Sequence, residues 1–139
     1  MSRVPPSREA VDHRSEIQLR IRAGSLEELL AEAGRGLAEI QLQGGSATPG
    51  GPWRPIEVTA PDRAALLVEW LNELIYLAET ERWIPLEFRV EEATAREARA
   101  RARGATVDRA PGLVKAATFH GLRVEEIPGG LEGEVVLDI

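Results

Sequence analysis

The sequence contains no cysteine. That excludes disulfides, zinc–thiolate centres and iron–sulfur clusters, so any metal held here must bind to oxygen or imidazole. Lysine is almost as scarce: among seventeen Lys and Arg residues, Lys115 is the sole lysine. A composition bias accounts for that in the plainest way. The sharper alternative is that position 115 needs a compact ammonium where a planar guanidinium would not fit. Aromatic side chains are few (three Trp, one Tyr, two Phe), so the core has to come from Leu, Ile, Val and Ala. No apolar run comes near the roughly 20 residues that cross a bilayer. The start, Met1–Pro6, lacks the apolar stretch of a secretory signal. Cytoplasm is therefore the expected compartment, with no membrane partner.

An excess of positive charge is also missing. The net charge of -6 argues against direct nucleic-acid binding, which draws its affinity from clustered Lys and Arg. It suits a cation or a basic protein partner instead. A length of 139 residues allows one domain with one core. With 43% hydrophobic and 29% charged residues the composition is that of an ordinary globular chain, well away from disorder.

Residues 1–12 are polar and contain proline, which predicts a flexible N-terminal arm ahead of a domain over 13–139. From Glu16 to Arg22 polar and apolar residues alternate, with Ile17, Leu19 and Ile21 to one side, the period of a half-buried strand. Ser25 followed by Glu28 is a capping box. It opens a helix whose apolar stripe is Leu26, Leu29, Leu30, Ala33, Leu37 and Ile40. The glycine-rich stretch from Gly44 to Pro52 has no Lys-Ser or Lys-Thr after it, so it reads as a connector and not a phosphate loop. A short strand from Trp53 to Thr59 leads to a second helix over about Asp62–Glu81. Strands are expected at Ile84–Ala93, Glu97–Arg103, Leu113–His120, Leu122–Ile127 and Leu131–Ile139. The Ala-Arg segment at 97–103 would suit a helix on propensity, but its alternation and its place between strands favour β. The fold class is α+β, a single domain with two helices packed on one face of a largely antiparallel β-sheet.

Few residues suggest chemistry. Ser25 is explained by capping, and no serine has a histidine and an acid in a nucleophile's arrangement. The sequence stops inside a strand at Asp138-Ile139, which places a side-chain carboxylate beside the final backbone carboxylate. Both are anionic at neutral pH. Two such anions need a cation between or beside them. A hard divalent ion that prefers oxygen ligands would serve, and so would Lys115. His13 and His120 are candidate helpers of such a site. Nothing demands an enzyme or a small-molecule substrate.

Three stretches together resemble the archease family. Trp70-Leu71-Asn72-Glu73-Leu74-Ile75-Tyr76-Leu77-Ala78-Glu79-Thr80-Glu81-Arg82 looks like its second-helix signature. Val114-Lys115-Ala116-Ala117-Thr118-Phe119-His120-Gly121-Leu122 is similar to its Lys-Ala and Tyr/Phe-His-Gly-Leu strand. Val136-Leu137-Asp138-Ile139 matches a family ending in Asp-Ile, and Ser25–Leu29 matches the start of its first helix. The resemblance implies a non-enzymatic protein cofactor. Such a protein uses a divalent-metal site to promote guanylylation and multiple turnover of an RtcB-type RNA-splicing ligase, the expected partner. By position it implies Asp138 as an acidic ligand, Ile139 beside it, and Lys115 as the family's important lysine.

The first motif departs from the family pattern. Where archeases usually carry His-Thr-Ala-Asp-Val-Gly, this chain has His13-Arg14-Ser15-Glu16-Ile17-Gln18. Glu16 keeps the ligand's charge on a longer arm, which fits the flexible shell of Ca²⁺ better than a strict Mg²⁺ octahedron, with Mn²⁺ a further option. Arg14 could instead pair with Glu16 and partly replace the ion. The expected metal set is thus Glu16, Asp138 and Ile139, supported by Lys115, His13 and His120. The runner-up is a chaperone or adaptor whose helical surface binds a partner, with the acidic cluster only structural.

Overall fold

The computed structural model describes residues 2–139. Its elements in chain order are β1 (Ser7–His13), β2 (Glu16–Ala23), α1 (Leu26–Leu42), β3 (Gly50–Thr59), α2 (Arg63–Glu81), β4 (Trp83–Ala93), β5 (Glu97–Thr106), β6 (Ala116–Ile127) and β7 (Gly130–Asp138). The class is α+β, and every strand pairing is antiparallel. The β layer is divided in two: β1-β2-β7-β6 form one sheet and β3-β5-β4 the other. Both helices contact both sheets, α1 chiefly through β4 and β2, and α2 through β6 and β4.

Local chemistry explains the helix starts. Ser25 Oγ accepts from the Glu28 N–H at 3.2 Å, while the Glu28 carboxylate reaches back to the Gly24 N–H at 3.1 Å. Asp62 caps α2 by accepting from Ala65 N–H at 2.8 Å. The two helices are pinned at the centre of the core. Trp70 is fully buried, its indole N–H donates to the Leu30 carbonyl at 2.8 Å, and its ring lies 5.9 Å from Phe88. Gly34 on α1 allows that approach: a Cβ there would stand 2.6 Å from the Phe88 ring.

The Ala-Arg segment is strand β5. Ala98, Ala100 and Ala102 are buried, while Arg99 and Arg101 are exposed and Arg103 is half-buried, so the two-residue period overrides helical propensity. Three expectations need revision. The arm expected over 1–12 gives way at Ser7 to β1, which pairs with β2 along its whole length from Ser7–Arg22 to His13–Glu16. It has no apolar alternation because it is an edge strand, exposed at nearly every position and held by backbone bonds and by Arg8. The segments read as separate strands at Leu113–His120 and Leu122–Ile127 are one strand, β6. It begins at Ala116 and is interrupted by a register shift between Thr118 and Arg123. Finally, the single sheet is two sheets. Among the described residues no helix is long and apolar enough to cross a membrane.

Candidate metal centre

A two-residue turn, Arg14-Ser15, joins β1 to β2 and sets His13 opposite Glu16. Glu16 in turn faces Asp138 of β7, and Asp138 faces Ala116 of β6. Directly opposed residues of antiparallel strands turn their side chains to the same face. His13, Glu16 and Asp138 therefore form a row across the outer face at one end of the four-stranded sheet. The Ile139 N–H donates to the Ser15 carbonyl at 3.1 Å, which makes 15 and 139 the hydrogen-bonded pair. Glu16 and Asp138 then fall in the adjoining non-hydrogen-bonded pair, where side chains approach most closely, with Cβ atoms ~4.5–5.5 Å apart.

The rest of that face shows what is unusual about this end. Glu132 and Glu134 of β7 are each only 8% exposed, and both are neutralised by arginine. Glu132 pairs with Arg22 at 2.6 Å and Arg123 at 2.8 Å; Glu134 pairs with Arg123 at 2.7 Å and also accepts from Gln18. Hydrogen bonds from Arg22 and Arg123 hold the Glu132 carboxyl below the usual carboxylate range. Glu125 and Glu132 also oppose one another, but Arg123 bridges them. At Glu16 and Asp138 the arginines stop. Among the described residues neither carboxylate has an ion-pair partner within 4.0 Å, and the neighbouring Arg14 does not pair with Glu16. Opposed like charges destabilise a sheet, and a divalent cation is the simplest way to relieve them.

The backbone holds this end of β7 from both sides. Besides the Ile139–Ser15 bond, the Lys115 N–H donates to the Asp138 carbonyl at 2.7 Å. Ile139 is half-buried and packs against the core. Lys115 is thus placed beside Asp138 by its main chain; its ammonium makes no ion pair among the described residues. His120 is exposed in the irregular part of β6, outside the row. No three His, Asp or Glu side chains among the described residues converge on one ion. What the register sets side by side is two carboxylates, Glu16 and Asp138, and oxygen donors of this kind are those a hard cation prefers. An open hollow of about 520 Å³, lined by His13, Arg14, Ser15 and Glu16, gives access.

Asn72, which the second-helix signature contains without a role attached to it, is a positioning residue. The side-chain amide of Asn72 on α2 pairs with both backbone groups of Ala117, accepting from its N–H at 2.8 Å and donating to its carbonyl at 3.2 Å. Ala117 adjoins Ala116, the partner of Asp138, so α2 fixes the edge strand β6 that flanks β7 beside the acidic pair. A polar residue between Leu71 and Leu74, on a helix otherwise apolar toward the core, was the available signal.

Two helices in contact with two antiparallel sheets, with an uncompensated acidic pair where the final strand meets β2, define a small α+β protein built around its last strand. The chain belongs to the archease family: a profile described as the Archease protein family (MTH1598/TM1083) matches residues 9–139. The "Protein archease" of Methanosarcina acetivorans is 30% identical, with 94% of each chain covered. That of Methanopyrus kandleri is also 30% identical, with 94% of this chain and 98% of the relative covered. In three dimensions the chain is similar to the solution structure of Methanobacterium thermoautotrophicum protein 1598. The TM-score is 0.71 at 25% identity, over 95% of this chain and 98% of that one. A Thermotoga maritima crystal structure, described as an archease and possible chaperone, shares the fold with a TM-score of 0.59 at 22% identity, over 96% and 98%.

Proposed function

We propose that this chain activates an RtcB-type RNA-splicing ligase as a protein cofactor, promoting ligase guanylylation and repeated turnover in tRNA splicing or RNA repair. The single observation that supports this reading is the Glu16–Asp138 register pair, two opposed carboxylates without a counter-charge in a member of the archease family. Glu16, Asp138 and the Ile139 backbone oxygens would hold a divalent ion, Ca²⁺ before Mg²⁺ or Mn²⁺ because Glu16 brings a long, flexible arm. The bound ion supplies positive charge for an anionic group of the partner. The chain's own part is to fix the two carboxylates by register, to anchor Asp138 through the Lys115 N–H and Ile139, and to leave ligand positions open to the partner. An acidic protein can serve RNA chemistry in this way without gripping RNA. The role belongs in the cytoplasm.

The test is ligase guanylylation and turnover with the wild-type chain and with Asp138→Ala and Glu16→Ala. Stimulation should fall with each, and undiminished stimulation by both variants removes the cluster from the mechanism. A second reading takes its lead from the Thermotoga protein's description as a possible chaperone. On that reading the helical surface binds the partner and the acidic pair is only structural. Full stimulation by the chelated chain, with the ligase's own metal supplied separately, would select it.

A further inference from the structure

Both sheets are open, so β1, β6, β3 and β4 are edge strands with one side of the backbone lacking a strand partner. Such edges are usually blunted by bulges, proline or a covering segment. β6, β3 and β4 each carry a register shift, and β3 adds Pro52 and Pro55. β1 has neither: its pairing with β2 runs unbroken from Ser7 to His13, with no proline between them. Which of its backbone groups are free follows from the site geometry. Glu16 sits in a non-hydrogen-bonded pair with Asp138, so its N–H and C=O turn to His13 instead. By alternation Ser7, Glu9, Val11 and His13 bond to β2, and the N–H and C=O groups of Arg8, Ala10 and Asp12 point away from the sheet. Among the described residues no other backbone group meets them.

The side chains specify what can pair there. Glu9, Val11 and His13 lie on the outer face of the sheet, opposite Arg20, Gln18 and Glu16. Val11 is 40% exposed, a large apolar side chain that the core does not use. In a two-fold antiparallel pairing of two β1 strands, Arg8, Ala10 and Asp12 must supply the hydrogen-bonded pairs, which leaves few registers. An axis at Glu9 opposes two carboxylates, which is unfavourable. An axis at Ala10 sets Val11 against Glu9 and offers Asp12 to Arg8, whose guanidinium already binds Glu32 and Glu39. An axis at Val11 places that side chain against its own copy in a non-hydrogen-bonded pair, where side chains approach most closely. Glu9 then faces His13 of the second copy, a carboxylate opposite an imidazole. Ala10 and Asp12 exchange N–H and C=O bonds with Asp12 and Ala10 of that copy. Arg8 comes opposite Arg14 of the turn, with its charge taken up by the two glutamates of α1.

We propose that this chain forms a two-fold dimer through the free edge of β1, with Val11 on the axis. The four-stranded sheets of two copies then join into one continuous sheet. Glu9 of the second copy extends the row of Asp138, Glu16 and His13, and the outer face above both acidic pairs stays open. So short a strand pairing covers little surface, which makes the dimer reversible. The inference does not depend on the ligase-activation reading.

The experiment is sedimentation of the full-length chain over a concentration series, joined to disulfide trapping in a protein that has no cysteine of its own. The wild-type chain should pass reversibly from monomer to dimer. Ala10→Pro removes an N–H that β2 does not use, one from each copy, and should raise the dissociation constant about tenfold or more. Val11→Lys, at an exposed position, should do the same by setting two ammonium groups on the axis. Circular dichroism should show both variants folded. Under mild oxidation Val11→Cys should give a covalent dimer and Ala10→Cys should not, because position 10 faces Asp12 and not itself. A wild-type chain that stays monomeric up to about 1 mM overturns the proposal. So does a dimer that neither Ala10→Pro nor Val11→Lys weakens, which would place the interface elsewhere. Trapping of Ala10→Cys in preference to Val11→Cys overturns the axis at Val11.

Discussion

Glu16 and Asp138 are register partners across β2 and β7, opposed on the same face with no arginine between them. Two steps along the same sheet, acids are handled differently. Arg123 spans Glu132 and Glu134 at 2.8 and 2.7 Å and also reaches Glu125 at 3.2 Å. Replacing this shared cation should therefore be costly. Arg123→Met is expected to lower stability by about 1–2 kcal/mol, because two nearly buried carboxylates each keep only one guanidinium. Urea unfolding of the variant checks this, and a loss near zero would mean that Arg20 and Arg22 suffice.

The same arginines predict how stability depends on pH. Arg22 and Arg123 hold the Glu132 carboxyl below its ordinary value of 4.5, and the Arg8 guanidinium does the same for Glu39. A depressed folded-state value means that the unfolded chain binds protons more readily. The stabilisation is therefore complete above about pH 5 and is lost as pH falls through the ordinary range toward the folded values. Urea midpoints measured across this range should fall on acidification. Glu132→Gln should be less stable at neutral pH and show a shallower acid slope; an unchanged slope would contradict the assignment.

Much of this architecture was readable in the residues. The Ser25–Glu28 box placed the start of α1, the second helix expected over about Asp62–Glu81 is α2 at Arg63–Glu81, and the Ala-Arg alternation gave β5 its correct state against helical propensity. β1 was not readable, because Ser7–His13 has no buried face to impose a period; its partner's register defines it. The division into two sheets depends on which strands neighbour β5 and β7, a matter of tertiary contact. Glu132 and Glu134 look like surface residues in sequence and are covered only because Arg22 and Arg123 fold over them. The archease resemblance suggested Glu16 and Asp138 as partners in a site; the antiparallel register gives their opposition a physical cause.

Gly34 offers a contest between two effects of known size. Gly34→Ala should gain about 1 kcal/mol in helix propensity. The new Cβ would meet the Phe88 ring at 2.6 Å, however, and overpacking of that kind costs about 1–3 kcal/mol. Phe88 is buried against Trp70 and has little room to retreat. The net expectation is destabilisation in the wild-type background and stabilisation in a Phe88→Leu background, read by thermal unfolding of the double-mutant cycle.

Asn72 gives a local signature. Asn72→Ala leaves the Ala117 N–H and carbonyl without their protein partner, at a cost of about 1–2 kcal/mol where water reaches only in part. Hydrogen exchange should speed most at Ala117 and its neighbours on β6, while amides of β5 keep their protection. Asn72→Asp, which retains an acceptor for the N–H and loses the donor, should fall between.

A cation at Glu16 and Asp138 would resolve their repulsion, and thermal unfolding of the isolated chain with and without Ca²⁺ tests this most directly. In chelator, the Glu16→Gln/Asp138→Asn double variant should be at least as stable as wild type, since opposed like charges cost about 0.2–1 kcal/mol. Added Ca²⁺ should raise the wild-type Tm through binding to the folded state alone and leave the double variant unmoved. A wild-type chain indifferent to Ca²⁺, Mg²⁺ and Mn²⁺ alike would contradict the account.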